Sequence, residues 1–373
     1  MSGTMKAVVK AEPGVGASLR DVPIPRPGPG EVLVKVRATS ICGTDVHIYT
    51  WDRWSQGRIG AARLPQVLGH EVAGEVVEVA AGVRAVKPGD YVSAETHIPC
   101  GRCLPCRTGD QHICANLSIL GVDRDGAFAE YIAIPESVCW VNDRTIPPEI
   151  ATIQEPLGNA AYTVLGNDGD VAGKTMAIVG EGPIALFAVA VARACGVTPI
   201  FLVGKNEFNL ALARRMGADH VLHVARDADR VAYVRERTDG VGVDLALEMV
   251  GSPEAIADAL RMVRKGGRLS AFGLASAGDL PINYIDGMVL GGIEVHGING
   301  RRMFDTWYRV RNLLVSGRLD VSPVITGLLP LEQYARGFDL AMKRPRQSAK
   351  IVLFPSDDEL RAARERRPSC TAA

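Results

Sequence analysis

The chain has 373 residues, 47% apolar and 23% charged, a globular composition in a chain too long for one ordinary hydrophobic core, so two domains are expected. Lys+Arg and Asp+Glu balance at 42 each, which removes any bulk electrostatic reason for binding nucleic acid or an anionic membrane surface. The longest apolar run, Pro183 to Ala192, falls well short of the roughly 18 residues that suggest a membrane span, and residues 1–6 lead into strand-like Ala7-Val8-Val9 without a signal-peptide layout, so a cytoplasmic protein is expected.

Residues 1–156 hold short strand-like runs broken by Pro and Gly. Glu31-Val32-Leu33-Val34-Lys35-Val36 alternates, Lys87-Pro88-Gly89-Asp90 is a turn feeding Tyr91-Val92-Ser93, and Pro23 to Gly30 is a stiff connector. Many short strands with frequent turns predict a β-barrel-like domain. Within it stand Cys42, in Ile41-Cys42-Gly43-Thr44-Asp45-Val46-His47, and the pair His70-Glu71 entering a strand-like run. Glu155 follows, in Gln154-Glu155-Pro156-Leu157-Gly158-Asn159. Thiolate, imidazole and carboxylate are ligand types that zinc accepts, and a catalytic zinc takes three protein ligands and keeps one position open.

Eight cysteines are too few and too clustered for a disulfide framework. Cys100, Cys103, Cys106 and Cys114 fall within one short stretch, a spacing that closes a tetrahedral, structural zinc shell. An iron–sulfur cluster uses the same ligands, but the bacterial ferredoxin run is absent, since no Cys-Pro follows Cys106 at the required spacing.

From residue 157 strands and helices alternate. Strands are expected at Thr175–Val179, Pro199–Val203, Val243–Leu247, Arg268–Phe272 and Ile293–Gly297. Helices are expected at Ile184–Cys195, Asn206–Met216 and Ser252–Val263. This pattern predicts a Rossmann-type, doubly wound parallel sheet over 157–298. Gly180-Glu181-Gly182-Pro183-Ile184-Ala185 joins the first strand to its helix as a dinucleotide-binding turn, with Ala185 replacing the third glycine. The second strand should end in an acid that binds the adenosine 2′-hydroxyl. It ends in Val203-Gly204-Lys205-Asn206 instead, so a 2′-phosphate meets less repulsion and Lys205 could pair with one. The reading therefore favours NADP over NAD. After a helical stretch at Met303–Ser316, residues 299–355 are expected to complete the first domain, with Lys350–Phe354 as a returning strand. The polar tail 356–373 is expected to be loosely ordered, with Cys370 an inert thiol.

These motifs make the chain resemble the zinc-dependent medium-chain dehydrogenases over residues 5–355. Within that superfamily it is most similar to the L-threonine 3-dehydrogenases. The similar stretches are ICGTDVHIYTWDRWSQ (41–56), GHEVAGEVVEV (69–79), ETHIPCGRCLPC (95–106), QEPLGNA (154–160) and HGINGRRMFDTWY (296–308). The resemblance implies a GroES-like catalytic domain plus a Rossmann domain, a homotetramer, and NAD-linked oxidation of a secondary alcohol, L-threonine, to 2-amino-3-oxobutanoate. Another secondary alcohol, such as a polyol, aminocyclitol or vicinal diol, is the alternative. It also implies that Cys42, His70 and Glu155 hold a catalytic zinc, with Glu71 a nearby or exchanging ligand. Thr44 and His47 would form a proton relay, and His97 would lie close to the substrate. The nicotinamide cofactor would be held by Gly180, Gly182, Pro183, Ile184, Gly204, Lys205, Asn209, Leu274, Ile298 and Arg301, the last also a candidate clamp for a substrate carboxylate. Two departures touch the adenosine end: that family has an acid at the position of Gly204 and an arginine at that of Asn209.

Overall fold

The structure, a computed structural model, describes residues 3–167, 169–274 and 279–367. The chain folds as two units, one formed by residues up to Pro156 together with those from Ile325 onward, the other by Leu157–Val324.

The first unit is built around the strand Glu31–Ile41. It pairs antiparallel with Glu71–Val79, with Tyr131–Pro135 and with Lys350–Phe354. Tyr91–Ala94 and Cys139–Val141 extend the sheet on one side, and Ile325–Pro330 adds a parallel strand on the other. Val32, Val34 and Val36 bury their side chains with Val72, Val76 and Val92 in one cluster, where β-branched side chains suit the pleated surface and each contributes roughly 1.5–3 kcal/mol on burial. Gly74 permits this pairing, since a β-carbon there would lie 2.3 Å from the Lys35 carbonyl oxygen. Register then sets chemistry. Ser40 lies opposite Glu71 on one neighbour and opposite Val352 on the other, so three strands deliver Ser40, Glu71 and Lys350 to one place.

The second unit is a six-stranded parallel sheet in the order His220–His223, Ile200–Gly204, Met176–Val179, Val243–Glu248, Val263–Ala271, Glu294–Gly297. This is the doubly wound dinucleotide-binding order, with the first strand at the point where the winding reverses. Every residue of Met176–Val179 and Ile200–Gly204 is buried, as expected of strands covered on both faces. The helices Pro183–Ala194, Glu207–Arg215 and Pro253–Met262 pack on these strands.

Two expectations are corrected. Residues 299–324 belong to the second unit, because the helix Asp305–Val315 buries Trp307 and Val310 there, and Ser322–Val324 packs on the helices Pro183–Ala194 and Glu207–Arg215. The tail is not loose over its described length: Asp357–Arg366 is a helix that buries Leu360 and Ala363. Three acids open this helix and two arginines close it, both favourable to its dipole. Cys370 lies outside the described residues. The strand His220–His223 is additional to those expected; with only two apolar residues it carries little periodic signal.

Candidate active site

Cys42, His70 and Glu71 each offer one ligand atom, and these atoms all lie within 4.8 Å of one another. Cys42 stands at the N-cap of the helix Gly43–Thr50. The turn that delivers His70 needs glycine at 69, where φ is 92° and a β-carbon would sit 2.2 Å from the Phe128 ring. Asp45, wholly buried, fixes both partners: one carboxylate oxygen accepts from the Cys42 N–H at 2.8 Å and the other lies 3.2 Å from His70 Nδ1. A ring held through Nδ1 offers Nε2 as a metal donor. Burial works against a charged His70, but the Asp45 carboxylate and the Cys42 sulfur hold its pKa well above the usual histidine value.

The carboxylate in this compact set is Glu71, not Glu155. Glu155 opens the helix Gln154–Leu165 and is buried, and it interacts electrostatically with Glu71 and Lys350. Glu71 is itself held by Lys350 Nζ at 2.6 Å and by the Ser40 hydroxyl. Burial opposes a charged Lys350, yet Glu71, Cys42 and Glu155 around it keep the ammonium ionised. A sulfur, a nitrogen and carboxylate oxygens in a buried pocket form a donor set that fits zinc.

Thr44, half-buried, and His47, exposed, lie on the helix that Cys42 caps. His47 Nδ1 is 2.5 Å from Asp52, and its ring lies 5.8 Å from that of Trp54. Partial burial raises the Asp52 pKa, but the Ser55 N–H and His47 outweigh this and hold it below its ordinary value. His97 is buried, its N–H donating to Glu95 at 3.0 Å.

The four-cysteine lobe is compact. Cys103 Sγ lies 3.4 Å from that of Cys106 and 3.7 Å from that of Cys114, close to the edge of about 3.8 Å in a tetrahedron with metal–sulfur bonds of about 2.3 Å. Backbone N–H groups of Arg102 and Cys103 bring the Cys100 thiol down to about 6. Burial and the neighbouring thiols push Cys106 up to about 12. Four thiolates so close need a cation to share, and the lobe fits a closed zinc shell.

In the second unit Gly180 has φ 128°, and a β-carbon there would meet Met249 at 3.2 Å, whereas Gly182 faces open space. The helix Pro183–Ala194 begins with no side-chain cap, so its first N–H groups are available to a phosphate. Pro183 and Ile184 form that first turn. Gly204 ends the next strand, Lys205 beside it is exposed, and buried Asn209 donates to the Glu181 carbonyl at 2.8 Å. Leu274 is exposed and Ile298 buried. Arg301, expected as a clamp, is buried, donates to Asn159 at 3.0 Å and packs where Gly158 lacks a side chain. The cradle fits a dinucleotide. Three contributors were not read as site residues from the sequence: Ser40, Asp45 and Lys350. Asp45 could have been found, as an acid three residues past a helix-capping ligand.

A sulfur–nitrogen–oxygen metal pocket in one unit and a dinucleotide cradle in the other define a zinc- and nicotinamide-dependent oxidoreductase. Residues 28–143 match the alcohol dehydrogenase GroES-like domain family and residues 183–316 the zinc-binding dehydrogenase family. The chain belongs to the zinc-dependent alcohol dehydrogenase family. Similar relatives are the L-threonine 3-dehydrogenases of Caldanaerobacter subterraneus subsp. tengcongensis, 49% identical over 95% of this chain and 100% of that one, and of Bacillus velezensis, 48% identical over 95% and 100%. The structure of an alcohol dehydrogenase from Thermus sp. ATN1, 32% identical, matches with a TM-score of 0.84 over 94% of this chain and 99% of that one.

Proposed function

We propose that this chain oxidises the β-hydroxyl of L-threonine to 2-amino-3-oxobutanoate, using NAD or NADP and two zinc ions per chain. The observation that carries the chemistry is the convergence of Cys42, His70 and Glu71 within 4.8 Å. The substrate comes from the threonine dehydrogenases that align over nearly the whole chain. Cys42, His70 and a carboxylate, Glu71 or Glu155, would hold the catalytic zinc. Cys100, Cys103, Cys106 and Cys114 would hold the structural one. A zinc ion at the first site supplies Lewis acidity that lets a hydroxyl lose its proton near neutral pH.

The chain's own residues manage the proton. Thr44 Oγ1 accepts it while releasing its own hydroxyl proton onward, and His47, three residues along the same helix, takes that proton to the surface. The His47 side chain is 56% exposed and beside Asp52, so this end of the path opens to water. Asp45, Lys350 and Ser40 keep the donor atoms in place. His97 would stand near the substrate.

A homotetramer in the cytoplasm is part of the same proposal. Tyr284, Ile285, Val289, Leu290 and Val295 expose apolar surface on and before the edge strand Glu294–Gly297, which supports assembly with further copies. On cofactor choice, Lys205 favours a 2′-phosphate, while an acid lying against Gly204 opposes one.

A panel of L-threonine, sorbitol, butane-2,3-diol and an aminocyclitol, each with NAD and NADP, tests the reading. L-threonine should produce reduced cofactor fastest. Turnover of only another alcohol would move the proposal to that substrate, and a protein without zinc would point to a zinc-free reductase.

A further inference from the structure

Glu181 occupies the second position of the glycine turn, and its side chain lies over Gly204 at the end of the neighbouring strand. A β-carbon at 204 would sit 2.7 Å from Glu181 Cβ, 3.0 Å from its Cγ and 2.9 Å from its Oε2. The two segments are tied together: the Gly180 N–H donates to the Val203 carbonyl at 2.8 Å, and Asn209 Nδ2 donates to the Glu181 carbonyl at 2.8 Å. Asn209 is fully buried, and its own N–H is capped by Asn206, so the Glu181 backbone is anchored from inside the fold.

The end of the second strand is where an acid ordinarily binds the adenosine 2′-hydroxyl. This chain has no side chain there. It has a carboxylate oxygen at a distance comparable to that between an aspartate's own β-carbon and its oxygens. We infer that Glu181 supplies the missing acid from the neighbouring turn, accepts a hydrogen bond from the adenosine 2′-hydroxyl, and makes the protein specific for NAD over NADP. Glu181 and a 2′-phosphate would place like charges together in a partly buried site. Lys205 is exposed, where solvent and salt screen its attraction, so the carboxylate against the ribose decides the preference. The inference runs against the expectation of NADP and agrees with the NAD-linked chemistry that the resemblance implies. The missing acid was read at position 204 alone, whereas the fold brings position 181 onto the same spot.

The inference rests on the reading of the second unit as a dinucleotide site, and direct binding separates the two. NADH and NADPH are titrated calorimetrically, without alcohol, into wild type, Glu181→Gln and the pair Glu181→Gly with Gly204→Asp. Wild type should bind NADH at least about tenfold more tightly, the size of one charge-assisted hydrogen bond. Glu181→Gln, which preserves shape, should weaken NADH and strengthen NADPH until the preference is lost. The relocated acid should restore it. A wild type that prefers NADPH, or a Glu181→Gln variant that shifts both cofactors equally, overturns the assignment while leaving the dinucleotide site standing. Failure of wild type to bind either cofactor overturns both.

Discussion

Lys350 Nζ lies 2.6 Å from Glu71 Oε1, an ion pair buried between the strand that follows His70 and the strand Lys350–Phe354. Lys350 also donates to the Ile41 carbonyl at 3.0 Å, immediately before Cys42. One ammonium therefore holds both the carboxylate and the backbone that carries the sulfur. The metal pocket depends on strand register as much as on its ligands.

Replacing Lys350 with Met should leave Glu71 buried beside Glu155 without its ammonium partner, at a cost of roughly 3–5 kcal/mol for one broken partner of a buried pair. Urea unfolding measures this. Because burial already raises the Glu71 pKa and Lys350 is a main group opposing this, the same variant should also retain less zinc at neutral pH. A loss below about 1 kcal/mol would show that the pair is not an anchor.

Cys42→Ser should abolish turnover, by about a thousandfold or more, with the fold preserved, since a ligand to a Lewis acid is lost and no core packing is removed. Metal analysis should find one zinc per chain instead of two, with an unchanged circular dichroism spectrum. Full activity would assign the zinc chemistry elsewhere.

Cys103→Ser should behave in the opposite way. Its sulfur sits within 3.4 Å of Cys106 and 3.7 Å of Cys114, and metal binding at a closed thiolate shell is part of the folding free energy. The midpoint of thermal unfolding should fall by several degrees, and the remaining soluble protein should keep its catalytic zinc. An unchanged midpoint would remove the structural role from the lobe.

The parallel sheet was legible because its strands are short continuous apolar runs bounded by glycine turns, and Met176–Val179 followed by Gly180 states this plainly. The four-cysteine lobe was legible because its spacing is local. What escaped were relationships that exist only across strands. Nothing in the sequence pairs Lys350 with Glu71, 279 positions away, or lays Glu181 over Gly204. Nor does composition distinguish a loose polar tail from the helix Asp357–Arg366, whose two buried residues, Leu360 and Ala363, make a stripe too narrow to stand out among charges.

That helix yields a prediction about the tail. Arg366 donates to both carboxylate oxygens of Glu149 at 2.9 Å, and Glu149 is wholly buried. Ending the chain after Ser356 would uncover Glu149 and the surface that Leu360 and Ala363 cover, at a cost of about 3 kcal/mol or more. Adding Glu149→Met to the shortened chain should recover part of the loss. Equal stability of the full and shortened chains in urea would restore the picture of a loose tail.

Asp123 gives stability a dependence on pH. Burial, which leaves its side chain 10% exposed, raises its pKa. Arg58, Arg63 and the Ile119 N–H outweigh that and hold the carboxyl below its ordinary value. The unfolded chain releases this proton near pH 3.9, the folded chain lower still, so the native state favours the ionised form. The stability this contributes is complete above about pH 5 and is lost as pH falls through the folded value. Asp123→Asn should therefore cost about 2 kcal/mol at pH 7, the size of a hydrogen bond to a charged group. The difference from wild type should shrink when both are unfolded in urea at pH 3. A difference that is the same at both pH values would mean that the shape of the side chain, and not its charge, holds Arg58 and Arg63 in place.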